Sequence, residues 1–127
     1  MKSAKISGKW QEGANSVKLN LPVMIFEEEG SKIAYIPVLD LSGYGNNERE
    51  AVDSLKIVLD DYFSYTTRKK TLVEDLKKHG WIIKKTSKPF VAPDITYILN
   101  KNKYLHEIVN TRPYRMDRMA VNVPNYA

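Results

Sequence analysis

Residues 34–63 read AYIPVLDLSGYGNNEREAVDSLKIVLDDYF, and three patterns follow one another in that stretch. With Ile33 in front, the run to Leu39 is almost continuously apolar, as expected of a strand covered on both faces. Leu41 to Asn47 is rich in glycine and asparagine, which predicts a turn whose two glycines supply positive φ. Beyond it Ala51, Val52, Leu55, Val58, Leu59, Tyr62 and Phe63 recur at spacings of three and four, one stripe of an amphipathic helix. Asn47 is a suitable N-cap, and Glu50 stands three residues on in the capping-box position. Glu48 and Glu50 also complement the positive end of the helix.

Upstream, Val17, Leu19, Leu21, Val23 and Ile25 alternate, the period of a half-buried strand. Pro22 lies among them and predicts an edge position or a bulge. Glu27 to Ser31 breaks the pattern and predicts the turn of a β-hairpin. A further strand is expected within residues 3–10. Downstream, Thr71 and Glu74 form a second capping box before a short helix carrying Leu72, Val73 and Leu76. Lys77, Lys78 and His79 stand at its negative end, and Gly80 is a natural stop. Trp81 to Ile83 reads as a short strand and residues 86–93 as a loop with two prolines. Asp94 then caps a helical stretch with Ile95, Ile98, Leu99, Leu105, Ile108 and Val109 apolar, interrupted at residues 100–102. Met119, Val121 and Val123 alternate as a last strand. The fold class is α+β: a small antiparallel sheet of three to four strands on one long helix, with a C-terminal helix and strand extension.

The chain has 127 residues and no cysteine, which predicts one domain and excludes disulfides, thiolate metal sites and cysteine nucleophiles. Two histidines do not close a structural zinc site. No apolar run approaches the roughly 18 residues of a membrane span, and no signal-peptide core stands at the N-terminus, so a soluble cytoplasmic protein is expected. Charge is divided unevenly. Residues 1–63 hold 7 Lys/Arg and 10 Asp/Glu, net −3; residues 64–127 hold 13 and 5, net +8. Such asymmetry suits a basic face toward nucleic acid or an acidic partner.

The ordered series Tyr35, Pro37, Leu39, Gly43, Asn47, Glu50, Ala51 and Leu55, following a hairpin, resembles the HicB-like family over about residues 17–85, with 86–127 as the extension. The resemblance is to solitary members of that family. It implies a truncated RNase-H-like fold, a small antiparallel sheet with one long helix across it. It also implies an antitoxin whose compact domain covers the active site of a small ribonuclease, HicA. The stretch DLSGYG, residues 40–45, departs from the family as an inserted turn. Many members add a DNA-binding module. Here residues 114–123 have the character of a β-ribbon but only four residues follow, so operator binding is not expected.

Nuclease chemistry on such a fold needs three or four clustered carboxylates holding two metals. The strands offer only Asp40 at an end and Glu27–Glu29 at a turn, so no catalytic residue, metal or cofactor is expected. The GYGNN turn is followed by two acidic side chains in place of Lys-Ser/Thr, and reads as a turn and not a phosphate loop. His79 and His106 read as structural or exposed. The partner surface expected of a HicB-like protein comprises Glu27, Glu28, Glu29, Asp40 and Tyr44, an anionic set suited to a HicA-like toxin protein. The alternative is a nucleic-acid-binding module in residues 68–88, through Lys77, Lys78, Lys84 and Lys85 with Trp81 stacking on a base. Against that, a tryptophan just after a helix-ending glycine packs back on its helix. Unpaired sheet edges favour a homo-oligomer.

Overall fold

The computed structural model describes residues 16–86 and 88–125, and the strand expected within 3–10 lies outside them. The alternating segment forms strand β1, Ser16–Glu28, and turns through Glu29 and Gly30 into β2, Ser31–Ile36. Both turn residues have positive φ, 50° and 85°, as a two-residue hairpin whose twist matches its strands requires. Met24 lies opposite Tyr35 and Glu28 opposite Ser31.

The next segment corrects the sequence reading twice. The strand stops at Ile36, not Leu39. Pro37 lacks the N–H a ladder needs and starts a turn, in which Leu39 N–H donates to Ile36 O and Asp40 N–H to Pro37 O, both at 3.2 Å. Val38 and Leu39 stay buried although they leave the sheet, so their hydrophobicity imitates a strand. The supposed turn is then strand β3, Leu41–Gly45, antiparallel to β2 with Gly43 opposite Ala34. Its glycines do not supply positive φ. They admit helix α1, Glu48–Lys69, against the sheet. A Cβ on Gly43 would lie 2.2 Å from Leu55 N and 2.6 Å from Ala51 O.

Helix α1 starts as predicted. Glu50 N–H donates to Asn47 Oδ1 at 2.9 Å, and Glu50 Oε1 accepts from Asn46 N–H at 2.9 Å. Its buried stripe of Ala51, Leu55, Leu59 and Phe63 packs on the sheet face that carries Gly43. Helix α2, Leu72–Lys78, follows; Thr71 is its N-cap by position, but its side chain makes no capping bond. Gly80, at φ 93°, ends it. Short strands β4, Ile82–Ile83, and β5, Phe90–Val91, pair with each other.

The last helical stretch is broken where its polar interruption predicted, into α3, Ile95–Lys101, and α4, Lys103–Thr111. Asn102 sits at the break with extended φ and ψ, and its Oδ1 accepts from Leu105 N–H at 3.1 Å. Helix α4 covers the second face of the sheet. Tyr104 meets the rings of Phe26 and Tyr35 edge-on, at 6.4 and 5.3 Å between centroids, with Leu105 and Ile108 fully buried nearby. Residues 23–26 are therefore buried on both sides, and β1 alternates only before them.

Strand β6, Tyr114–Pro124, returns antiparallel along most of β1, from Phe26 opposite Tyr114 to Ser16 opposite Pro124. The sheet order is β3-β2-β1-β6. Thus β1 is an inner strand, but β2 reaches only Met24 to Glu28, so among the described residues Pro22 lies in the half with a single neighbour. A proline without an N–H is tolerated there for the reason the sequence suggested.

Candidate functional site

The three glutamates of the hairpin have different fates, set by strand alternation. Glu28 turns inward: its Oε1 lies 3.6 Å from Arg112 Nη1 and accepts from Tyr104 Oη at 3.2 Å. Burial first, then the charge of Glu28, pushes the Tyr104 hydroxyl up to about 12. Glu27 and Glu29 are exposed, Glu27 with Lys32 Nζ at 3.4 Å. They line a groove of about 530 Å³ with Lys32, Glu48, Tyr114 and Arg115. Arg115 grips Glu48 with both terminal nitrogens, one at 2.8 Å, and holds its carboxyl below the usual range.

Tyr44 is 68% exposed on β3, opposite Ile33, at the same end of the sheet as the acidic turn. It projects from the face opposite to Gly43, away from the groove. Asp40 is at the other end, in the β2–β3 turn with φ 55°. There it accepts from Tyr35 Oη at 2.6 Å, while Asn102 Nδ2 donates to the same hydroxyl at 2.8 Å. Burial, then the neighbouring carboxylate, raises the Tyr35 hydroxyl well above the ordinary tyrosine value. The five residues expected on one partner surface therefore fall into four places. Glu28 and Asp40 hold the fold, Tyr44 stands by itself, and Glu27 with Glu29 gains Glu48, which the sequence assigned only to the helix start.

The basic candidates divide as well. Lys77, Lys78, Lys84 and Lys85 are exposed. Trp81 is not available to a base, which corrects that assignment: it is 3% exposed, and its Nε1–H donates to Val38 O at 2.7 Å. His79 closes the end of α2, with Nδ1 2.8 Å from Asp75 O. Lys78 lines a second groove, of about 650 Å³, with Asp40, Tyr97, Lys101 and Lys103. Sequence reasoning missed Lys101, Lys103 and Tyr97. Their signal was the polar break in the helical pattern, which places two lysines around a kink. A third cavity, of about 480 Å³, is mostly apolar and lies between the end of α1, α2 and the end of β6.

Among the described residues no group of three or more His, Asp or Glu side chains is gathered to hold a metal ion, and no helix is long and apolar enough to cross a membrane. No family model, curated protein or solved structure matches the chain.

Proposed function

We propose that this chain is a non-enzymatic, HicB-like docking protein that occludes a small basic ribonuclease of the toxin class. The observation that carries the reading is the groove in which Glu27, Glu29 and Glu48 outnumber Lys32 and Arg115, on a chain whose total charge is +5. A ribonuclease that grips RNA presents a positive face. An anionic groove attracts that face over a distance and lies against it in the complex. Tyr114, 43% exposed, supplies apolar surface beside the charges. The test is RNA cleavage by a small basic HicA-like ribonuclease, with and without the purified chain. Inhibition is expected, and the double variant Glu27→Lys, Glu29→Lys weakens it about tenfold at low salt. Full cleavage in the presence of excess unaltered chain would reject the reading.

A second reading, nucleic-acid binding through the basic region, is favoured by the groove that joins Lys78 to Lys101 and Lys103 beside the exposed Tyr97 ring. It predicts oligonucleotide binding that falls steeply with salt and disappears when Lys77, Lys78, Lys84 and Lys85 are replaced by Glu. Unchanged retention of a labelled oligonucleotide by that variant removes it.

A further inference from the structure

Among the described residues β6 is the outer strand of the main sheet, and five consecutive residues on it, Tyr114 to Arg118, are exposed on both strand faces. Edges that stay single are usually blunted by charged side chains, lysine above all, by proline or by a bulge. This stretch has no lysine, no proline and no break in its register against β1, and its three charges, Arg115, Asp117 and Arg118, are of both signs, so they can pair across a two-fold axis as well as repel.

The phase of its backbone follows from one residue across the ladder. Pro22 lies opposite Arg118. A hydrogen-bonded antiparallel pair exchanges two N–H···O bonds, and proline has no N–H to give, so this pair is a non-bonded one. By alternation, the N–H and C=O groups of Tyr114, Met116 and Arg118 point away from β1. The Arg118 N–H fits this phase: it donates to Asp117 Oδ1 at 2.8 Å instead of to β1.

We propose that a second copy of this chain occupies the edge, strand against strand, with Met116 facing Met116 of the partner subunit across a two-fold axis. A closed two-fold interface uses the same patch twice, so the sequence must complement its own reversal. Centred on Met116, it does. Arg115 then faces the partner's Asp117 in a non-bonded pair, where side chains approach most closely. Tyr114 faces the partner's Arg118, ring against guanidinium. Both contacts occur twice. The Arg118 N–H passes from its own Asp117 to the Tyr114 carbonyl of the partner subunit. Asp117 exchanges its own Arg115, 3.4 Å away, for the partner's Arg115, and the Arg118 guanidinium leaves Asn20 O, to which it donates at 3.1 Å in the single subunit. The neighbouring centres fail. Pairing about Arg118 opposes two arginines, pairing about Asp117 or Arg115 opposes like charges, and pairing about Tyr114 puts Pro113 opposite Arg115. This proposal does not depend on the ribonuclease reading.

The chain has no cysteine, so Met116→Cys introduces a single thiol. Directly opposed residues of a bonded pair are about 5.5 Å apart at Cα, within the range a disulfide spans. Sedimentation of the unaltered chain is expected to show a dimer. Met116→Cys is expected to convert to a covalent dimer on mild oxidation, whereas Ala120→Cys, on the same edge but far from the axis, stays uncrosslinked. Asp117→Arg, which sets arginine against the partner's Arg115, is expected to weaken association about tenfold while the far-UV spectrum and melting of the subunit are unchanged. A monomer at every concentration, or a dimer in which Met116→Cys crosslinks no faster than Ala120→Cys, overturns the proposal.

Discussion

Gly43 has no side chain because helix α1 occupies the place where one would stand. The groups in the way are backbone atoms of Ala51 and Leu55, which have no rotamer to change. Gly43→Ala is therefore expected to cost about 1–3 kcal/mol or more, read from urea midpoints, with Tyr44→Ala beside it near neutral. Two buried hydroxyls set a second expectation. Burial and a hydrogen-bonded carboxylate, Asp40 for Tyr35 and Asp75 for Tyr62, raise both above the ordinary tyrosine value. A tyrosine is neutral while protonated, so the folded state holds these protons more tightly than the unfolded chain. Their contribution is complete below about pH 10 and is lost as pH rises from there toward the folded values. Urea midpoints measured from about pH 8 to 11 should fall at the alkaline end. The double variant Tyr35→Phe, Tyr62→Phe should flatten that fall even though it starts lower.

Helix starts show which local signals act and which only mark position. Asn47 caps α1 with its side chain, whereas Thr71 and Asp94 occupy the cap positions of α2 and α3 without a side-chain bond. Asn102 does more than a cap. It starts α4, ends α3 and donates to the Tyr35 hydroxyl, fastening the helical layer to the middle of the sheet. The expected order of destabilisation is Asn102→Ala at about 2 kcal/mol, Asn47→Ala at about 1, and Thr71→Ala near zero. Equal effects at Asn47 and Thr71 would show that the side-chain bond at Asn47 contributes nothing. The same distinction explains why α1 was legible from its residues and β3 was not. A cap and a 3.6-residue stripe are complete within one helix, but the glycines of β3 answer to a helix packed over them.

In the molecule as a unit, the last forty residues complete the sheet. Val121 and Val123 are buried, and among the described residues β6 is the only sheet neighbour of residues 16–23. Deleting residues 114–127 would uncover Leu21 and Val23 and leave half of β1 unpaired. The truncated chain is expected to lose cooperative unfolding and near-ultraviolet dichroism. The division of charge also changes meaning in three dimensions. The acidic first half contributes one anionic groove at the hairpin end. In the basic second half Trp81 itself is buried, so it offers no exposed ring to the lysines around it. Three lysines of that half, Lys78, Lys101 and Lys103, line one groove beside the α3–α4 kink.

The α+β class, the first hairpin, the start of α1, the stop at Gly80 and the break near Asn102 were all readable in the order of the residues. Each rests on an interaction that closes within a few positions along the chain, or on the repeat of one strand or helix. Folding was needed to reveal that Leu41–Gly45 is a strand, that Trp81 is spoken for by a carbonyl 43 residues earlier, and that Glu48 joins the acidic turn. Those outcomes depend on which distant groups arrive beside a residue. Whether glycine makes room for a neighbour or bends a chain, and whether tryptophan is hidden or displayed, is a property of the contact and not of the side chain.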